Sequence, residues 1–448
     1  MRPDGFSLSR VAARLGAGGL RAPEATLTFA DALARPGLDV AALAGKSVAL
    51  ATRAQLAGAR ALLALDGVAR RLVVLPPDFD ADKRRAAMAQ AEAEAIVVDD
   101  ESDAAGATVH LIGDCAAPSD PLPLLDTQWI LPTSGTTGAP KLVAHRLEGL
   151  LGAIVPATGP APVWATFYDI RRYGGLQIFL RAATGGATLV LSGSGEAVGD
   201  HVDRLLAAGV THVTGTPSHW RRLLMSPHAA RLAPVYVRLS GEIADQPILD
   251  ALRAAYPHAK IVHAYASTEA GVGFEVTDER EGFPASVIRE EGDPAFRVVD
   301  GSLRIRSKRA ALTYVGRDDL RLRDDEGFVD TDDRVELRGE RFHFQGRGAG
   351  VINIGGLKVH PEEVEQVINA HAAVQASLVK ARRNPIVGDL LVADVVLKDG
   401  YAEAAATLRA EILADCRARL ERHKAPASIA FVPALAVTAG GKLARRHA

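Results

Sequence analysis

The stretch TSGTTGAPK, Thr133 to Lys141, sets the hydroxyls of Ser134, Thr136 and Thr137 among Gly135 and Gly138 and ends on a lone lysine. Backbone amides and hydroxyls in such a loop can wrap an anion, and the Lys141 ammonium adds positive charge, so phosphate binding is the chemistry it offers. It is not a Walker loop. Counted from Gly135, Pro140 stands where that motif needs its second glycine and Leu142 where it needs a hydroxyl. Other reaction classes find no carrier: there is no GxSxG elbow and no HExxH pair, and Gly193, Gly195 and Gly199 have the wrong spacing for a dinucleotide fingerprint. The histidines form no ligand-like cluster, and His145 and His263 read as local packing or substrate-pocket residues. Cys115 and Cys416 lie far apart and read as ordinary thiols of a reducing compartment.

A phosphate loop needs a rigid strand to aim it, and QWILP directly precedes this one. From Ser47 to Asp99, short β-branched runs (SVALA, RLVVLP, AIVVDD) alternate with alanine-rich helical stretches, the rhythm of a parallel sheet. TVHLIGD, ATLVLSG, THVTGTP and KIVHAYA continue it, which predicts a large α/β domain to about residue 345. After Gly346 the glycine cluster GRGAGVINIGG precedes a helix start at His360-Pro361-Glu362-Glu363, with proline in the first turn and acids at the positive helix end. Val364, Val367 and Ile368 then give an apolar stripe. Strand-like ASLVKA and LLVADVVL, a long helix near Tyr401 to Arg422 and the strand SIAFV predict a small α+β domain. The division is 1–346 and 347–448, with 346–352 as the hinge.

At 448 residues the chain exceeds what one core usually serves, which agrees with two domains. A formal charge of -2 supplies no bulk attraction to nucleic acid or anionic lipid. The N-terminus has no continuous apolar run, and no 18-residue apolar stretch occurs, so no membrane span and a cytoplasmic location are expected.

TSGTTGAPK closely resembles the phosphate loop of the adenylate-forming superfamily, which includes acyl- and aryl-CoA synthetases, peptide-synthetase adenylation domains and luciferases. Further segments resemble that family's motifs in the family's order, from Leu131 to Arg446. HAYASTEAG at 263–271 is similar to its YGxTE motif, which implies that Tyr265 stacks on adenine, Thr268 contacts the α-phosphate and Glu269 holds Mg²⁺. FVDTDDRVEL at 328–337 is similar to its TGD segment, which assigns Asp333 to the ribose hydroxyls; Asp332 replaces the usual glycine. FQGRGAGVINIGGLKVHPEEVE at 344–365 resembles the interdomain motif, which implies that Arg347 lies near the ribose, Gly348 and Ala349 form the hinge, and Gly355 and Gly356 line a pantetheine tunnel. PALAVTAGGKLARR puts Lys442 where the family carries its catalytic lysine.

The resemblance implies a two-step reaction: ATP and Mg²⁺ activate a carboxylic acid as an acyl-adenylate, the loop Thr133 to Lys141 with Gly241 and Glu242 binds ATP, and the acyl group then passes to CoA. The expected acid is small and aromatic, or a short to medium acyl acid. Tyr168, Asp169, Tyr173, Gly175, Gly215, Ser218, Ser240 and Ala266 are the candidate acyl pocket. Asp169 is open between pairing with a substrate ammonium and a structural turn or ion pair, and Trp220 and Tyr173 between pocket walls and core. No carrier segment follows Arg446, so CoA is the expected acceptor. The alternatives are a carrier protein in trans, amino-acid ligation, and a nucleotide-binding homologue without activity.

Overall fold

The computed structural model describes residues 7–15, 18–101, 108–118, 122–133, 140–155, 159–193, 195–354, 357–384, 388–438 and 442–444. Among these, strands and helices along the first 276 residues, joined by the short strand Thr313–Tyr314, build two large sheets. One has seven strands in the order Thr313–Tyr314, Leu142–His145, Gln128–Pro132, Arg71–Val74, Ser47–Leu50, Ala95–Val98 and Thr108–Leu111. Its interior strands Ser47–Leu50 and Ala95–Val98 are parallel and buried along their whole length, which is why they read as continuous apolar runs.

The strands Gln128–Pro132 and Leu142–His145 are antiparallel, with Pro132 opposite Leu142, and Thr133 N donates to Lys141 O at 2.8 Å. Thr133 and Lys141 thus flank two antiparallel strands, whereas a Walker loop passes from a strand into a helix.

The other large sheet has eight strands, with Tyr236–Ser240 between His212–Gly215 and Lys260–Ser267 near one edge. The helices Gln55–Leu65 and Tyr173–Gly185 share one buried cluster with Val48, Leu50, Leu72 and Val74 of the first sheet and Trp164 and Leu189 of the second.

A third, antiparallel sheet of Phe283–Pro284, Arg341–Arg347, Val329–Arg338, Ser302–Arg306 and Ala295–Val299 follows. Sequence rhythm merged it with the α/β domain. Its clearest signal is the two-residue turn Asp300-Gly301, both at positive φ (49° and 75°), the geometry of a tight β-hairpin.

The C-terminal part packs Pro361–Asn369 and Ala405–Arg419 on a sheet of Val374–Asn384, Gly388–Leu397 and Ser428–Phe431, around Val364, Ile368, Val379, Val395 and Ile412. Pro361 begins its helix and Glu362 and Glu363 occupy the first turn. The long helix expected near Tyr401 to Arg422 is α-helical over Ala405–Arg419, with short 3-10 turns at Ala402–Ala404 and Arg422–Lys424. Arg347 ends a strand of the third sheet, and the 3-10 turn Gly348–Gly350 leads out of it.

Candidate active site

Antiparallel pairing of Val329–Arg338 with Arg341–Arg347 sets Asp333 opposite Arg347, and the Arg347 Nε donates to Asp333 Oδ1 at 3.1 Å. The Tyr265 hydroxyl donates to the other oxygen, Oδ2. Burial and the adjoining carboxylate hold the Tyr265 phenol well above its ordinary range, so it keeps its proton and acts as the donor. The Tyr265 ring lies nearly parallel to Phe274 and Phe344, at 5.5 and 5.3 Å between centroids. Three residues picked out from separate motifs thus form one chain, and the two phenylalanines are additions to it. Asp332 has φ 58°, a left-handed conformation that accounts for a glycine at that place in the related motif.

Lys442 reaches the same place from the far end of the sequence. Thr438 N donates to Lys442 O at 2.7 Å and Ala444 N to Ala436 O at 2.9 Å, so the lysine sits on a hairpin. Its side chain lies over Gly241, whose φ of +85° turns the backbone; a Cβ there would stand 3.4 Å from Lys442 Cε. Desolvation, and then the charge of Arg347, lower the Lys442 pKa from the ordinary lysine value, while Glu242 and Asp333 act to raise it. Glu242 accepts from Ser218 N at 2.9 Å and from Leu443 N at 3.0 Å.

Thr268 and Glu269 lie on the turn between Lys260–Ser267 and Gly271–Val276. The turn is pinned by its own carbonyls: His145 Nε2 bonds Thr268 O at 2.8 Å, and Ala311 N bonds Glu269 O at 2.9 Å. His145 is a packing residue, as is His263, which bonds Arg280 O at 2.9 Å. Burial lowers the His145 pKa to about 4, so the ring is neutral at neutral pH. No cluster of three metal-ligating side chains occurs among the described residues. A single carboxylate such as Glu269 is the donor Mg²⁺ uses when phosphate oxygens and water complete its shell, so the residues present fit that ion.

In the candidate acyl pocket the Tyr168 hydroxyl donates to Ser240 O at 2.7 Å, bridging Val163–Thr166 and Tyr236–Ser240. The Asp169 carboxylate is engaged by Arg171, with Nε to Oδ1 at 2.7 Å and the Arg171 backbone N to Oδ1 at 2.8 Å. Arg171 is itself buried and also donates to Arg53 O at 2.9 Å. The ion-pair role is the one this geometry describes. Gly175 packs on the Asp169 backbone too closely for a side chain, and Gly215 packs tightly on the Phe167 and His219 side chains. Ala266 adjoins the irregular pairing between Tyr265 and Ala266. Tyr173 and Trp220 are core residues, 8% and 0% exposed. Ser134, Gly135, Thr136, Thr137, Gly138, Gly355 and Gly356 lie outside the described residues, as does the Ala349 side chain.

The AMP-binding enzyme family model matches residues 24–303, and the AMP-binding enzyme C-terminal domain model matches 363–442. The chain belongs to the AMP-binding enzyme family. Among relatives, it is 29% identical to a 2-succinylbenzoate–CoA ligase of Salmonella typhimurium, over 70% of this chain and 66% of that protein. It is 28% identical to a p-hydroxybenzoic acid–AMP ligase of Mycobacterium tuberculosis, over 70% of this chain and 47% of that protein. The matches thus span about two thirds of the first relative and about half of the second. The crystal structure of an anthranilate CoA ligase in complex with anthranoyl-AMP superposes with a TM-score of 0.80 at 17% identity, covering 98% of this chain and 96% of that one. An adenylate-forming fold, with a large α/β part and a smaller C-terminal α+β part, is therefore assigned to this AMP-binding enzyme.

Proposed function

We propose that this enzyme activates a carboxylic acid with ATP and passes the acyl group to CoA. The observation that carries the reading is the convergence of Lys442, from the C-terminal part, on Gly241 beside Tyr265, Asp333 and Arg347. A carboxylate expels no leaving group at neutral pH, so it must first become a mixed anhydride. Its oxygen attacks the α-phosphorus of ATP, the bond to the bridging oxygen breaks, and pyrophosphate leaves. Negative charge rises on the phosphoryl oxygens, and pre-placed cations and donors lower that barrier. In this reading Lys442 and Thr268 meet the reacting phosphoryl group, and Tyr265, Asp333 and Arg347 hold the nucleoside. Thr133 to Lys141 holds the departing phosphates. Mg²⁺ on Glu269 would supply further charge neutralisation when bound.

In the second step the thiol sulfur attacks the acyl carbon, AMP leaves with the bonding electrons, and the thiol proton passes to water. The small domain is proposed to turn about Gly348 and Ala349, withdrawing Lys442 and bringing Gly355 and Gly356 to the pantetheine arm. The acid is proposed to be small and aromatic or of short to medium length, in keeping with the aryl acids named for the relatives. One of those relatives is named for ligation to AMP alone, which keeps a carrier protein in trans as the alternative acceptor. The proposed location is the cytoplasm, where ATP and CoA are supplied and Cys115 and Cys416 stay reduced. No helix of the described residues is long and apolar enough to cross a membrane.

The test is a panel of carboxylic acids scored by ATP-dependent AMP release with CoA or a pantetheinylated carrier protein as acceptor. AMP release is expected to need both an acid and a thiol. Release with no acid dependence, or none with any acid, contradicts it.

A further inference from the structure

Glu242 carries a feature that binding ATP does not require. Its two carboxylate oxygens are both taken by backbone N–H groups, and these belong to different parts of the chain. Oε2 accepts from Ser218 N at 2.9 Å, in the first turn of the helix Pro217–Leu224 of the large part. Oε1 accepts from Leu443 N at 3.0 Å, the residue after Lys442 and 201 positions away in sequence. Gly241, next to Glu242, is the residue over which the Lys442 side chain lies. The same turn makes a second contact with the C-terminal part: Asp245, held by Arg221, accepts from Asn369 Nδ2 at 3.1 Å.

We propose that Glu242 is a positioning residue, a latch that holds the Lys442 hairpin against the large part for adenylation and must release for thioester formation. This rests on the two-step reading above. A carboxylate is the side chain that suits the place, because it offers two acceptors and no donor to two converging N–H groups. Glutamine fills the same space but turns an NH₂ group toward one of them. The bonds go to the backbone, so the latch fixes the position of residue 442 whatever side chain stands there.

The experiment compares wild type with Glu242→Gln in three measurements. Acid-dependent pyrophosphate exchange is expected to fall about tenfold to a hundredfold, the scale of a lost charge-assisted hydrogen bond, in kcat with the KM for ATP little changed. Thioester formation from preformed acyl-adenylate is expected to stay within about twofold, since it proceeds with the hairpin withdrawn. Amide hydrogen exchange at Leu443 in the resting protein is expected to quicken in Glu242→Gln and not in Lys442→Ala. A rise in KM for ATP alone, equal loss in both half-reactions, or unchanged protection of Leu443 overturns the latch. The amide measurement needs no turnover, so it fails or succeeds apart from the reading of the activity.

Discussion

Tyr265 and Asp333 are joined by a hydrogen bond from the phenol to Oδ2, across 68 residues and between a strand of the eight-stranded sheet and one of the antiparallel sheet. Asp333 Oδ1 takes Arg347. In Tyr265→Phe the ring can keep its place beside Phe274 and Phe344, and the carboxylate loses one of its two donors. The KM for ATP is expected to rise about fivefold to tenfold, corresponding to about 1–1.5 kcal/mol, with kcat nearly unchanged. Initial rates of pyrophosphate exchange against ATP concentration check this.

Asp169 and Arg171 predict a loss of stability without a change of substrate. Asp169→Ala leaves the Arg171 guanidinium, 3% exposed, without its carboxylate. Breaking a buried pair from one side costs about 3–5 kcal/mol. Chemical denaturation should record that loss, while the ranking of acids with and without an amino group stays the same. A selective loss of amino acids as substrates would instead mark Asp169 as an ammonium partner.

His145 predicts a pH dependence of stability. Its pKa falls from 6.5 in the unfolded chain to about 4 in the fold, because burial disfavours the charged ring. The unfolded state therefore binds more protons between those values. This contribution is fully present above pH 6.5 and is lost as pH falls toward 4. Its size is roughly 3 kcal/mol at 1.36 kcal/mol per pKa unit. Melting temperatures between pH 7 and pH 4 should decline less steeply in His145→Gln, whose amide can still donate to Thr268 O.

Gly346 marks the way into the hinge. Its φ is +120°, and a Cβ there would overlap the Glu362 carboxylate on the first turn of the helix Pro361–Asn369. Gly346→Ala is expected to cut pyrophosphate exchange at least about fivefold by opposing this arrangement of the two parts, a cost above about 1 kcal/mol. Gly346→Ala/Glu362→Ala should recover part of the rate, because the clash is relieved and the backbone strain is not. No recovery would place the whole effect in the backbone.

Much of this site is legible in the sequence because its signals are local. The strands SVAL and AIVV declare themselves by continuous apolar runs, and the helix at Pro361 by its proline and acids. Motif order led to Tyr265, Asp333, Arg347 and Lys442. The antiparallel sheet escaped because its strands are half-exposed and charged, as in Val329–Arg338, although Asp300-Gly301 was a readable hairpin signal. The partners of Glu242 were not readable at all: they are backbone amides of Ser218 and Leu443, and a backbone amide leaves no mark on residue type. Asp169 is ambiguous in sequence because one aspartate can serve an ammonium or a guanidinium; Arg171 stands two residues on, and what the fold adds is its burial against the carboxylate.

In the proposed reaction Lys442 drives acid adenylation at the Tyr265–Asp333–Arg347 site. Acid-dependent exchange of pyrophosphate into ATP, measured for wild type and Lys442→Ala over the acid panel, decides whether it does. Exchange with at least one acid in the wild type and its abolition in Lys442→Ala, with thioester formation from preformed acyl-adenylate largely intact, is the predicted result. Exchange by Lys442→Ala at the wild-type rate, or equal loss in both half-reactions, would contradict it.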